Sequence, residues 1–269
     1  MDSRKLERII LIILLLLNVF LLSVVLSDAV EARRNASETT ASITALLQEN
    51  GIEVADGAIR LQSAPIPCVL TRDILREGEK VKKLIGDYAP EDVGGNIFFY
   101  RGDKGQALLR GSGEMDVLMD SRAVSVRGSE ERTAQRVLRS IGMTAIPVEG
   151  TKEVAFYCSC EGIPVYNAVL QFDFSENSLA MISGTRLFDN LTKSAENNGM
   201  DSVSVLLRFI EIVRSEGFIC SRIDSVEPGY LMSVTRSGEA ELTPVWRIGT
   251  DAGALMIDAE TGKTENRLT

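Results

Sequence analysis

The chain has 269 residues, 45% of them hydrophobic, with 29 Lys and Arg against 38 Asp and Glu and a formal net charge of −9. It contains no histidine, which excludes Ser-His-Asp and Cys-His catalysis, HExxH zinc proteases and His-ligated metals. The acidic balance argues against nucleic acid, and against polyanionic wall polymers, as main ligands.

Ile9 to Leu26 is an uncharged apolar run, IILIILLLLNVFLLSVVL, with neither Gly nor Pro. At ~1.5 Å per residue it makes a helix of ~27 Å, close to the ~30 Å hydrocarbon core of a bilayer. The run predicts a transmembrane helix over 9–26, with residues 1–8 as a cytoplasmic N-terminus. Arg4, Lys5 and Arg8 precede it, and a basic N-terminus stays inside. Arg33 and Arg34 beyond the far end weaken that bias. The alternative is a cleaved signal peptide, with small residues at Ser27-Asp28-Ala29 and Val30-Glu31-Ala32, although the run exceeds the usual apolar region of roughly 7–15 residues. On either reading the folded part is extracytoplasmic. A retained anchor makes a single-pass protein of the cell membrane.

Asn18 is the one strongly polar residue in the middle of the run. An amide in lipid seeks a partner, and helix-to-helix hydrogen bonds there contribute ~0.6–2 kcal/mol. It reads either as a contact with another membrane helix or as a residue bonding within its own helix. Ser23 and Ser27 form a small-xxx-small pair near the outer end.

Residues 27–50 are compatible with helix, with apolar Ile43, Leu46 and Leu47 near the end and Asn50-Gly51 as the stop. They form either a stiff juxtamembrane stalk or a polar linker ending in a short helix. Residues 51–125 read as an N-terminal α+β part of the ectodomain. It holds short strands at 52–54 and 58–61, an amphipathic helix over 71–85 capped by Thr71, a hairpin of 96–101 with 106–110, and a strand at 114–119.

The remainder uses one pattern twice. In 126–190, Ser129 caps a helix over 130–141 and strands follow at 152–160, 163–174 and 178–186. In 200–269, Asp201 caps a helix over 202–216 and strands follow at 218–226, 230–236, 241–249 and 254–258. Pro228-Gly229 and Ser237-Gly238 are the expected turns between them. The fold class expected is α+β: an N-terminal transmembrane helix, then an ectodomain of helices packed on antiparallel β-meanders in repeated helix-plus-sheet units.

Chemical motifs are sparse. Gly262-Lys263-Thr264 lacks the first glycine of a Walker loop, and 258–262 reads better as a hairpin turn. The carboxylates form no recognisable catalytic pair. Cys68, Cys158, Cys160 and Cys220 are either small buried thiols or, in an oxidising compartment, partners in a long-range bridge. No cofactor or metal is expected. Trp246, the only tryptophan, reads either as a partner anchor or as a strand residue packed over a helix.

Three segments together resemble the YycI/YycH-type regulators of Gram-positive bacteria, closest to YycI. They are the start, MDSRK leading into ILIILLLLNVFLL; Gly162-Ile163-Pro164-Val165-Tyr166-Asn167 followed by Leu170-Gln171-Phe172-Asp173-Phe174; and Leu242-Thr243-Pro244-Val245-Trp246-Arg247-Ile248 followed by 254–262. The last also resembles the hairpin of PepSY-type domains. Ser3 departs from the Trp of the commoner family start. The resemblance implies a non-enzymatic membrane regulator of a sensor histidine kinase in a cell-wall two-component system. Such a regulator acts through transmembrane and extracytoplasmic contacts, often with a related YycH-type sister protein. The alternative it leaves is a PepSY-like extracytoplasmic inhibitor or chaperone of an exported hydrolase.

Overall fold

A branched, mostly antiparallel sheet organises the computed structural model, which describes residue 18 and residues 34–195, 198–215 and 217–265. Its strands are β1 (Glu53–Val54), β2 (Cys68–Thr71), β3 (Tyr88–Gly94), β4 (Ile97–Gly102), β5 (Gly105–Leu109), β6 (Glu114–Met119), β7 (Ala145–Pro147), β8 (Val154–Cys160), β9 (Ile163–Ser175), β10 (Ser178–Thr185), β11 (Asn190–Lys193), β12 (Arg222–Val234), β13 (Ala240–Thr250), β14 (Gly253–Asp258) and β15 (Thr264–Glu265). The helices are α1 over 34–49, α2 (Ile74–Ile85), α3 (Glu130–Ser140) and α4 (Ser202–Ser215).

The main path runs β11-β2-β13-β12-β9-β10-β6-β5-β4-β3. It forks at its two long strands. On β9, one edge carries β8, while the other carries β12 at Val165 and β10 from Leu170 onward. On β13, one edge carries β12, while the other carries β2 over 240–242 and β14 over 245–250. Among the described residues only β1 with β12 and β12 with β9 pair in parallel.

The β9–β12 joint is a single bridge, Tyr230 opposite Val165. The next outward step is made by a side chain. Asn167 donates through Nδ2 to the Met232 carbonyl and accepts the Met232 N–H through Oδ1, each at 2.8 Å. The amide imitates a peptide group and carries the ladder on where the strands part.

Two cores lie along the sheet. The first joins α2 (Val81, Leu84, Ile85) and α3 (Ala134, Val137, Leu138) to strands from β2 through β13. The second joins α1 (Ile43, Leu47) and α4 (Val205, Leu206, Phe209, Ile210) to Trp246, Ile248 and Ile257. Burial of this apolar surface, at ~25 cal/mol per Å², is the main force that seats the helices.

Several expectations need correction. Segment 28–50 does not stand as a free stalk over its described part: helix 34–49 lays Ile43 and Leu47 into the second core. The helix expected from Thr71 starts at Ile74, because Asp73 Oδ1 accepts the N–H groups of Leu75 and Arg76 at 3.1 and 3.2 Å. Residues 58–61 form no strand. Pro228-Gly229 is not a turn, since β12 runs straight through it. Gly229 is needed there because a Cβ would stand 2.1 Å from the Tyr166 ring. Strand β3 was not expected, and it is an edge strand of the path, the place in a sheet where a proline such as Pro90 is tolerated.

The apolar run 9–26 lies outside the described residues except for Asn18, which is helical and exposed. Among the described residues no helix is long and apolar enough to cross a membrane.

Candidate functional site

Alternation along the strands gives the sheet a second apolar face. Val165 enters the first core while Tyr166 turns to the other side, and Trp246 enters the second core while Val245 turns away. Tyr166, Val245 and Met256 are buried there as a small cluster, with Tyr157 and Leu231 against them. Among the described residues no helix contributes to it.

A groove of about 600 Å³ opens beside this cluster. Its walls come from β7 (Ile146, Pro147), the β8–β9 turn and the start of β9 (Gly162, Ile163, Pro164), β12 (Asp224, Ser225, Glu227, Pro228) and Arg247 of β13. Tyr157 and Tyr166 meet edge to face on its floor, with centroids 5.5 Å apart at 86°, a geometry that the ring quadrupoles favour. The Arg247 guanidinium sits 5.8 Å over the Tyr166 ring and 3.4 Å from Glu227. The Tyr166 hydroxyl donates to the Pro228 carbonyl at 3.5 Å. Burial, and next the Glu227 carboxylate, push the Tyr166 phenol well above its ordinary value, while Arg247 opposes them. Tyr166 therefore stays a neutral donor throughout the physiological range.

Glu149, Asp224 and Glu227 outnumber Arg247 on the walls. A shallower depression with Asp56, Arg60 and Gln62 continues from Asp224 and Glu227. The whole is an aromatic slot with a rim richer in acid than in base, and its chemistry is that of recognition: flat π-faces beside carboxylates, of which Asp224 is paired with Arg222 at 2.6 Å and Glu227 with Arg247. A second depression of about 470 Å³ lies along Asn167, Leu231, Ser233, Thr243 and Met256.

Trp246, singled out by sequence, does not line the groove. Trp246 is wholly buried, donates its indole N–H to the Met200 carbonyl at 2.8 Å and packs under α4. Asn18 is helical and exposed, and Ser23 lies outside the described residues. The groove residues Tyr157, Tyr166, Glu227 and Arg247 were not singled out. Their signal was strict alternation in strands whose two faces are both apolar, as in Thr243-Pro244-Val245-Trp246-Arg247-Ile248. The four cysteines are free thiols. Among the described residues no group of three or more Cys, Asp or Glu is placed to hold a metal ion.

No family model matches the chain, and no curated protein matches it. Among solved structures it is similar to an uncharacterized protein from Eubacterium rectale, with 10% identity and a TM-score of 0.48 over 80% of this chain and 89% of that one. It is similar also to the C-terminal domain of YpeB from Bacillus megaterium, with 9% identity and a TM-score of 0.38 over 74% and 99%. A third is YycH from Bacillus subtilis, with 10% identity and a TM-score of 0.35; the chain covers 52% of YycH, and YycH covers 70% of this chain.

Proposed function

We propose that this chain is a non-enzymatic, membrane-anchored regulator that binds a sensor histidine kinase of a cell-wall two-component system. The run 9–26 holds it in the membrane with the N-terminus inside and the folded part extracytoplasmic. The observation that carries the reading is the aromatic, acidic-rimmed groove on the sheet face opposite the helices, which suits an interaction surface. Its charge selects the occupant: an extended, basic segment of the kinase sensor domain, with an apolar side chain stacking on Tyr157 and Tyr166. Binding one kinase state better than the other shifts the signalling equilibrium by that difference in affinity.

The test is crosslinking in intact host membranes, then affinity capture and mass spectrometry, on wild type, Asn18→Leu and a Tyr157→Ala/Arg247→Glu double variant. The expected result is a histidine kinase that the wild type captures, with recovery falling about tenfold in the groove variant, the equivalent of ~1.4 kcal/mol. Loss with Asn18→Leu as well places part of the contact in the membrane. An exported hydrolase captured equally by wild type and Asn18→Leu moves the assignment to an ectodomain inhibitor or chaperone.

A further inference from the structure

We propose that Cys68 and Cys160 are a disulfide-forming pair that staples β2 to the β8–β9 hairpin, across the line where the two parts of the sheet meet. Cys68 opens β2 and Cys160 closes β8. They are 4% and 7% exposed and belong to one core. Cys68 Sγ donates to the Ile66 carbonyl at 3.1 Å, and of the titratable groups around Cys160 the Cys68 thiol acts on it most strongly.

The surroundings hold the two together independently of the sulfur atoms. Cys68 stands opposite Lys193 of β11 and Leu242 of β13. Lys193 reaches across to Glu161, the residue after Cys160, at 2.6 Å. The Tyr230 hydroxyl donates to the Ile66 carbonyl at 2.8 Å and lies 3.8 Å from Cys68 Sγ. Tyr230 is also the residue that bridges to Val165. The Lys193–Glu161 pair and the contacts of Tyr230 thus flank the two cysteines from both sides of the joint. The other cysteines have different surroundings. Cys158 donates to the Thr185 carbonyl at 3.5 Å, and Cys220 lies near Asp251.

The chemistry is thiol–disulfide exchange with an external disulfide, such as oxidised glutathione or a thiol oxidoreductase. One cysteine gives its proton to solvent and its thiolate attacks the donor, forming a mixed disulfide and releasing one donor thiolate. The second cysteine, also deprotonated, attacks the protein-side sulfur and expels the other donor thiolate. Two protein thiols are oxidised, one donor disulfide is reduced, and the two protons end on the two donor thiols. Burial, then contact with Cys68, push the Cys160 thiol up to about 11, so the thiolate is scarce in the closed fold. The bond then forms fastest during folding or when the joint opens. Once closed, it fixes the joint beside Val165, the neighbour of Tyr166, and with it the width of the groove. This inference does not depend on the kinase reading.

The test uses the full chain, purified reduced, and equilibrated both folded and during refolding in a series of oxidised to reduced glutathione ratios. Free thiols are then blocked with N-ethylmaleimide and the peptides mapped. The expected result is a mass loss of about 2 Da and one linked peptide pair carrying Cys68 and Cys160, with Cys158 and Cys220 alkylated. Cys68→Ser and Cys160→Ser each abolish the linked pair. Oxidation raises the thermal midpoint of wild type and of Cys158→Ser, and leaves both serine variants of the pair unmoved. Four free thiols after refolding at the most oxidising ratio, a bond recruiting Cys158 or Cys220, or a glutathione adduct that never closes overturns the proposal.

Discussion

Helices α2 and α4 dock on the same sheet by opposite means. Helix α4 presents Val205, Leu206, Phe209 and Ile210 to Trp246, Ile248 and Ile257, an apolar contact in which the Trp246 N–H is satisfied by the Met200 carbonyl. Helix α2 instead inserts a charge. Glu77 is 2% exposed; Arg72 grips its two oxygens at 2.6 and 2.7 Å, Arg186 bonds one of them, and Tyr100 donates to the other at 3.2 Å. Arg72 stacks on Phe98 with its charge 5.0 Å from the ring centre. Burial pulls the Arg186 guanidinium below its ordinary value against the opposing pull of Glu77, and among the described residues its Nε has no hydrogen-bond partner. Gly78 lets the Tyr88 hydroxyl close to 2.3 Å of where a Cβ would stand. The comparison teaches that α4 is held by burial alone, which tolerates adjustment, while α2 adds to the burial of Val81, Leu84 and Ile85 a charged geometry that fails if one member is missing.

Single deletions of either kind should cost the most and about equally. Phe209→Ala leaves a cavity under α4 and should destabilise by ~3–5 kcal/mol. Glu77→Ala leaves two arginines buried together and should cost a similar ~3–5 kcal/mol. The two differ in rescue. Replacing Arg72, Glu77 and Arg186 together by Met, Leu and Met should restore wild-type stability or exceed it by ~1–4 kcal/mol. No such rescue exists for Phe209, because nothing there was paired. Urea unfolding of the set decides it: a triple variant as unstable as Glu77→Ala would mean that the charges specify the α2 position rather than merely satisfying one another.

The same contrast explains what the sequence could tell. Helices α3 and α4 were legible because their signals are local: Ser129 Oγ accepts the Arg132 N–H and Asp201 Oδ1 the Ser204 N–H, each at the expected start. The α2 cluster was not legible, because Arg72, Glu77 and Arg186 are ordinary surface-type residues until the fold brings them together. Nor was the groove, since Tyr166 and Arg247 alternate with core residues and each strand reads as buried on both faces. Pro228-Gly229 misled because its composition is that of a turn. Only the Tyr166 ring, distant in sequence, explains the glycine inside a long strand.

A smaller effect probes the joint between the two regions. Asn167→Ala removes the amide that pairs both peptide groups of Met232, and should cost about 1 kcal/mol, the usual net worth of such bonds. The informative readout is local. Amide exchange at Met232 should quicken well beyond that global change, with the exchange of β4–β5 amides unaltered. Equal acceleration everywhere would mean that the joint opens only with the whole molecule, and the two regions would then be one cooperative unit.

The smallest effect concerns pH and lies at the rim of the α4 region. Asp251, in the turn between β13 and β14, accepts the Ser221 hydroxyl, the Ser221 N–H at 3.0 Å and the Arg222 N–H at 3.2 Å. These bonds, the hydroxyl foremost, hold its carboxyl below the ordinary 3.8. A carboxyl depressed in the folded state binds its proton less readily there than in the unfolded chain. Its stabilisation is thus fully present above the unfolded value and fades as pH falls through the folded one. The site is at the surface, so the effect is modest, and it acts where β12 begins. Comparing wild type with Asp251→Asn isolates it: the gap between their thermal midpoints should be open near pH ~6 and closed near pH ~2. A gap that stays constant across that range would show that the turn is held by backbone geometry and not by the ionised carboxylate. Acid would then reach this region only through the same global charging that acts on the rest of the molecule.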